Sequence, residues 1–309
     1  LISAKNIRSK PLQVQYLIFQ NPPSSGECQA GITQDQVDTA EEGQILNGCV
    51  ILHKNMYDEN AFSGRDDINY VIAQNLTIVS KSMFSRCLNL ELVCAPNVER
   101  IEDGQCEQIN GIFVGHGSFS QTALTDICFP KLLYVGVLSF LACKKAVNVY
   151  LPLCEEVARS AFNFCTSIKV MSLPRVKVVG IASFNQCDAL TTLSVPSVQQ
   201  VGDNCISGCA SLTSINSQLA ADLFKCNNSK CKSCPICSNQ LETCLQHGNR
   251  SQKDIIEFNI TNQNTQPQLS QQENKINVKQ NKTRQQNEMV ELKSKNYFII
   301  KNIDTQKQQ

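Results

Sequence analysis

A fixed period of 22 residues constrains this chain more than any other feature. Pro130, Pro152, Pro174 and Pro196 stand 22 apart, and Cys143, Cys165, Cys187 and Cys209 keep the same interval. Phe140, Phe162 and Phe184 follow it, with Ile206 in the fourth place, while Val135, Val157, Val179 and Val201 form a further column. Columns sharing one register are the signature of a repeat array, in which a unit too small to bury its own apolar face is covered by its neighbours. A chain so patterned folds as a solenoid.

Steps of 22 toward the N-terminus recover Phe84, Cys87 and Pro96 in one earlier unit, then Ala61 and Phe62 in another, where Arg65 stands in the Cys column. Pro96 to Pro130 is 34, so that unit is longer by 12, and the extra residues lie in an inserted loop at about 102–117. A unit runs like SAFNFCTSIKVMSLPRVKVVG, with apolar residues three, six and eight places after the Cys: Ile168, Met171 and Leu173, then Leu190, Leu193 and Val195. The last two, spaced by two, have the period of a strand. Pro lacks an N–H and marks where the chain leaves the ladder. Stacked strands lie about 4.8 Å apart, with equivalent side chains pointing the same way, which is poor disulfide geometry. The ladder of Cys143, Cys165, Cys187 and Cys209 is therefore expected to be free, buried and structural.

Units such as AFNFCTSIKVMSLP and SFNQCDALTTLSVP resemble the BspA-type leucine-rich repeat, with its short aromatic-bearing turn, Cys, spaced aliphatics and terminal Pro. The resemblance covers roughly Tyr57 to Asn216. It implies a leucine-rich repeat solenoid, one short parallel β-strand plus a turn per unit. It also implies a cell-surface or secreted protein of the binding and adhesion type found in bacteria and unicellular eukaryotes.

Composition narrows the partners. Lys plus Arg at 28 against Asp plus Glu at 27 leaves a formal charge of +1, so no global field favours nucleic acid or an anionic membrane. The longest apolar stretch, Tyr134 to Cys143, is about half of the ~20 residues a spanning helix needs, so no transmembrane segment is expected. Leu1 opens the chain without a leader, as in a mature, trimmed or partial sequence.

The flanks differ from the array. Residues 1–56 read as an N-terminal cap or degenerate repeats, which terminal units commonly are. Residues 217–247 are cysteine-rich, with Cys226, Cys231, Cys234, Cys237 and Cys244. The overlapping C-x-x-C steps have spacing that holds zinc, with Cys244 or His247 as further ligands, but a second, well-separated C-x-x-C pair is missing. A small disulfide knot is the first reading and zinc the rival, and the stretch resembles cysteine-rich segments of surface proteins from some flagellate parasites. Residues 248–309, rich in Gln and Asn and poor in aromatics, read as a disordered tail. Sequons at Asn75, Asn227, Asn249, Asn259 and Asn281 tilt the compartment outward only slightly.

No constellation reads as catalytic, and an enzyme is not expected. VGHGSFSQT fails the G-x-S-x-G pattern, since Ser120 holds the place of its second Gly. Cys106 and His116 share the insertion, which its glycines mark as a flexible excursion, but no third group orients them as a thiolate pair. Function then falls to the surface. Residues alternating with the buried ones, Asn148 and Tyr150, Val170 and Ser172, Thr192 and Ser194, then Ser214, line a neutral face suited to a protein or glycan ligand. No nucleic acid, small-molecule substrate or cofactor is expected, save zinc at the cysteine-rich segment. An extracellular or cell-surface recognition protein is the leading reading, and an intracellular leucine-rich repeat scaffold with a zinc-binding knuckle the alternative.

Overall fold

The computed structural model describes residues 32–109 and 112–250. A short helix, α1 (Gln34–Thr39), is followed by β1 (Ile45–Leu46), β2 (Cys49–Ile51), β3 (Tyr70–Ile72), β4 (Ile78–Val79), β5 (Leu92–Cys94) and β6 (Arg100–Ile101). The insertion folds as β7 (Gln105–Ile109) and β8 (Ile112–His116). Three- and two-residue strands then alternate: β9 (Asp126–Cys128), β10 (Tyr134–Val135), β11 (Asn148–Tyr150), β12 (Glu156–Val157), β13 (Val170–Ser172), β14 (Val178–Val179), β15 (Thr192–Ser194), β16 (Gln200–Val201) and β17 (Ser214–Asn216).

These strands form two parallel rows along a β-solenoid of about seven turns with a repeat near 22 residues. The three-residue strands pair as β2-β3-β5, β9-β11 and β13-β15-β17, with β5 against β9 and β11 against β13. The two-residue strands other than β1 make one continuous sheet in the order β16-β14-β12-β10-β6-β4. Met171 pairs with Leu193 and Leu193 with Ile215, while Val135, Val157, Val179 and Val201 pair in succession. The valine column therefore belongs to a second strand in each turn, where the unit pattern had indicated one.

The corner between the rows is set by proline. Val176 donates its N–H to Leu173 O at 3.3 Å and Val198 to Val195 O at 3.2 Å, so Pro174 and Pro196 hold the second place of a β-turn. There the ring's fixed φ is already correct. After the second strand, a run of turns sends its amides along the axis. Ser160, Phe162 and Phe164 donate to the carbonyls of Ile181, Ser183 and Asn185 in the next turn at 2.8–2.9 Å. Left-handed residues at Ser160 (φ 54°) and Phe164 (φ 62°) reverse the chain so that these amides stay parallel.

The interior is a stack of rings. Phe62, Phe84, Phe119, Phe140, Phe162 and Phe184 succeed one another with centroids 5.1–5.8 Å apart and planes within 19° of parallel. Burying one such side chain contributes about 1.5–3 kcal/mol. Phe119 follows the insertion out of phase, 35 residues after Phe84 and 21 before Phe140, yet takes its place in the stack and brings Thr122 into the Cys column.

Both ends are covered. The coil begins ahead of Tyr57, because β2 already pairs in parallel with β3, and an Asn47-Gly48 turn folds β1 back on β2. Both turn residues have positive φ, 50° and 76°, as this tightest hairpin requires. Thr33 caps α1 reciprocally with Gln36. At the other end, residues 241–250 are helical and bury Leu241, Cys244, Leu245 and Gly248, one face at the 3.6-residue period, against the last turn. Gly248 is needed there: a Cβ would lie 2.2 Å from the Ile215 backbone. The expected tail at 248–309 is thus helical at residues 248–250 and otherwise lies outside the described residues.

Candidate functional site: the strand face and the cysteine cluster

Alternation on three-residue strands puts the middle residue inward and the outer two on one face. Val50, Val71, Val93, Ile127, Met171, Leu193 and Ile215 are buried, and Val149 is half-buried. The outward columns run Cys49, Tyr70, Leu92, Asp126, Asn148, Val170, Thr192, Ser214 and Ile51, Ile72, Cys94, Cys128, Tyr150, Ser172, Ser194, Asn216. All six expected contact residues, Asn148, Tyr150, Val170, Ser172, Thr192 and Ser194, lie on this face, Ser172 exposed and the other five half-buried.

The face changes along its length. Over its first strands, Cys49, Ile51 and Ile72 are buried beneath Ile32 and Val37, so α1 and its approach roof the apolar end. Beyond the roof the columns, Leu92, Cys94, Cys128 and Val170 apart, are polar and knit by side-chain ladders: Asn148 donates to Asp126 at 2.6 Å and Asn216 to Ser194 at 2.9 Å. Asp126 is the single charge in either column. Beside the roof a cleft of about 220 Å³ is lined by Val37, Ile51, His53 and Ile72. That is below the roughly 300–1,000 Å³ usual for a small-molecule site.

The Cys ladder is buried throughout. Each thiol donates to the carbonyl of the preceding turn's Phe: Cys143 to Phe119 at 3.0 Å, Cys165 to Phe140 at 3.1 Å, Cys187 to Phe162 at 3.2 Å and Cys209 to Phe184 at 3.1 Å. Burial pushes the Cys143 thiol up to about 11 and Cys187 to about 12, away from the thiolate a nucleophile needs.

The cysteine-rich segment behaves differently. The sulfurs of Cys226, Cys231, Cys234 and Cys237 all lie within 4.8 Å of one another, and the four are separate thiols. Cys244, expected among them, is instead on the C-terminal helix, buried and donating to Leu212 O at 3.4 Å. His247 does not join them either. Burial pushes Cys231 up, but hydrogen bonds from the amides of Cys234 and Gly208 and from Ser207 outweigh it and bring the thiol to about 6. Cys234 and Cys237 are raised, first by desolvation. Four sulfurs around one point are a ligand set for a soft, tetrahedral cation.

The profile of the BspA type leucine rich repeat region matches in six copies, over residues 51–110 and 112–237. The chain belongs to the BspA-type leucine-rich repeat family. Among solved structures it is similar to a leucine-rich repeat protein from Bacteroides ovatus, 16% identical over 55% of this chain and 54% of that one, with a TM-score of 0.35. It is also similar to the Treponema pallidum leucine-rich repeat protein (20% identical, 48% and 58% covered, TM-score 0.32) and to a leucine rich cell surface protein from Faecalibacterium prausnitzii (15%, 60% and 65%, 0.25). The chain thus spans less than two thirds of each of these structures. A search of curated proteins gave no match.

Relative to the regular units of this BspA-type repeat, the insertion is an ordered hairpin, not the flexible loop its glycines suggested. Gln105 stands opposite His116 and Cys106 opposite Gly115. Directly opposed residues share a face, so Cys106 and His116 project from opposite faces of the ribbon and form no pair. Residues 1–56 were expected as a cap or degenerate repeats without the helix that roofs the face, and the C-terminal helix was not expected, although the Asn47-Gly48 hairpin signal and the Leu241, Cys244, Leu245 spacing were there to be read.

Proposed function

We propose that the unroofed strand face, from β9 to β17, recognises a protein or glycan ligand. The observation that carries this reading is the contrast along one continuous surface: its apolar end is buried under the N-terminal cap, while the rest is left open. The open columns offer amide, hydroxyl and tyrosine groups, with no Lys or Arg for phosphate. Membership of a repeat family used for binding supports the same reading, and the family's association with cell surfaces supports an extracellular or surface location.

The test is capture of a partner by the immobilised full chain from an extract of the source cells. Asn148→Ala with Tyr150→Ala is expected to weaken capture at least tenfold, while Gln200→Ala, exposed on the second row, leaves it unchanged. Equal capture by all three would reject the face. One observation favours a second reading, an intracellular scaffold: four convergent thiols suit a reducing compartment. Glycans on the purified protein would reject it.

A further inference from the structure

The cysteine cluster sits where the solenoid would need another turn. Within the coil, one row of amides passes from turn to turn: Ala142 donates to Asn163 O at 2.8 Å, Phe164 to Asn185 O at 2.9 Å, and Gln186 to Ser207 O at 2.7 Å. Gly208 is next in the row and has no further turn to meet. Its N–H instead points at the Cys231 sulfur, at 3.3 Å. The sulfur occupies the role of the missing carbonyl. Around it, Cys226 donates to Ser207 Oγ at 3.4 Å, and Asn227 donates its backbone N–H to Asn204 Oδ1 at 2.7 Å and its side-chain amide to Asp203 at 2.8 Å, on the same end of the coil.

The local geometry is that of sulfurs prepared to carry negative charge. At Cys231 the Gly208 amide is a donor aimed at the sulfur, at 3.3 Å. Donors aimed at sulfur stabilise a thiolate and orient it as a ligand, whereas a disulfide sulfur is a weak acceptor with little use for them. A tetrahedral zinc with Zn–S bonds of about 2.3 Å has sulfurs about 3.8 Å apart, and these four already lie within 4.8 Å of one another. Zn²⁺ on four thiolates carries two excess negative charges, and Lys225, Lys230 and Lys232 alternate with the cysteines in the chain. Cys237 is exposed and Cys234 buried, so an ion reaches the cluster from solvent and is enclosed on its inner side.

We propose that Cys226, Cys231, Cys234 and Cys237 bind one zinc ion as four thiolates, and that this site is the staple closing the C-terminal end of the solenoid. Metal binding and the integrity of the last turn are then one equilibrium. Binding releases the thiol protons and fixes Cys231 beneath Gly208. The proposal is independent of which ligand the strand face takes.

The experiment uses the full chain, purified without chelator under reducing conditions, with zinc as the probe. Elemental analysis is expected to give one zinc per chain, released when a mercurial titrates the thiols. Cobalt exchanged into the site should show the visible absorption of tetrahedral tetrathiolate cobalt. Hydrogen exchange at the Gly208 amide should accelerate on chelation while Phe162 stays protected. Cys237→Ser should weaken zinc binding at least tenfold, and Cys244→Ser should retain one zinc. Because Cys237 is exposed, its replacement spares the coil, and the cobalt spectrum of the unaltered chain gives the answer even if a variant misfolds. Disulfides linking these four cysteines in protein made by its own cells, no bound metal, or undiminished zinc in Cys237→Ser would each overturn the assignment.

Discussion

The thiol of Cys165 donates to the carbonyl oxygen of Phe140 across one turn of the coil, at 3.1 Å. Cys87 makes the same bond to Phe62 at 3.0 Å. A Cys at this column is therefore more than a small apolar filler, because it adds a second hydrogen bond to a carbonyl that, for Phe140, already accepts the Cys143 N–H at 3.2 Å. Cys165→Ala should cost about 0.5–1.5 kcal/mol, the net worth of one hydrogen bond whose acceptor keeps another donor. Cys165→Asp should abolish folding by burying a charge with no cation to meet it. Urea denaturation of the two variants reads both effects, and an alanine variant as stable as the parent would remove the bond's importance.

Alkaline pH should loosen the coil before it affects most surfaces. Burial holds Cys143 near 11 and Cys187 and Cys205 near 12, against 9.0 for a free thiol. A raised folded-state value means the stabilisation is complete below pH 9 and is lost as pH climbs from there through about 11 to 12, since the unfolded chain ionises first. Each such thiol contributes a slope of about 1.4 kcal/mol per pH unit inside its window. Denaturation midpoints measured above pH 9 should fall, and less steeply in Cys187→Ala. A flat profile would contradict the buried ladder.

Ring stacking predicts an uneven response to truncation. Phe162 contacts Phe140 at 5.1 Å and Phe184 at 5.8 Å and is fully buried. Phe162→Ala should cost about 3–5 kcal/mol and Phe162→Leu much less, because Leu refills most of the space. Thermal melts of both variants are the measurement, with equal losses counting against the stack.

A gain is available at Phe164, which is 42% exposed and left-handed, with φ 62°. At the place of Phe164 the turns at either end of the coil use Gly64 and Gly208, and at the place of Ser160, also left-handed, they use Asn60 and Asn204. Phe164→Asn should raise stability by about 0.5–1 kcal/mol by relieving the steric conflict of a bulky side chain at positive φ. A lower melting temperature would show that the ring's surface contacts outweigh the strain.

Columns at a fixed interval were legible because stacked positions must fit one another, and Phe84, Cys143 and Pro174 kept that interval in the sequence. Phe119 and Thr122 were hidden because the insertion shifts the phase without changing their structural place. The second row escaped notice for another reason: a two-residue strand such as Val178–Val179 has no alternation to detect. Outward residues such as Tyr150 followed from the first row's alternation, but the roof over Ile51 and Ile72 rests on contacts between distant segments. Spacing drew attention to the C-x-x-C steps, yet only geometry separated Cys244, turned into the core by its helix, from the four sulfurs that meet.

Amides of a coil turn that bond outside it reach the carbonyls of the turn beside it, as Phe162 reaches Ser183. Duplication or loss of a whole unit would therefore leave every surviving seam intact. The reach of the molecule is a quantity that evolution can adjust in whole increments while both closures stay unchanged.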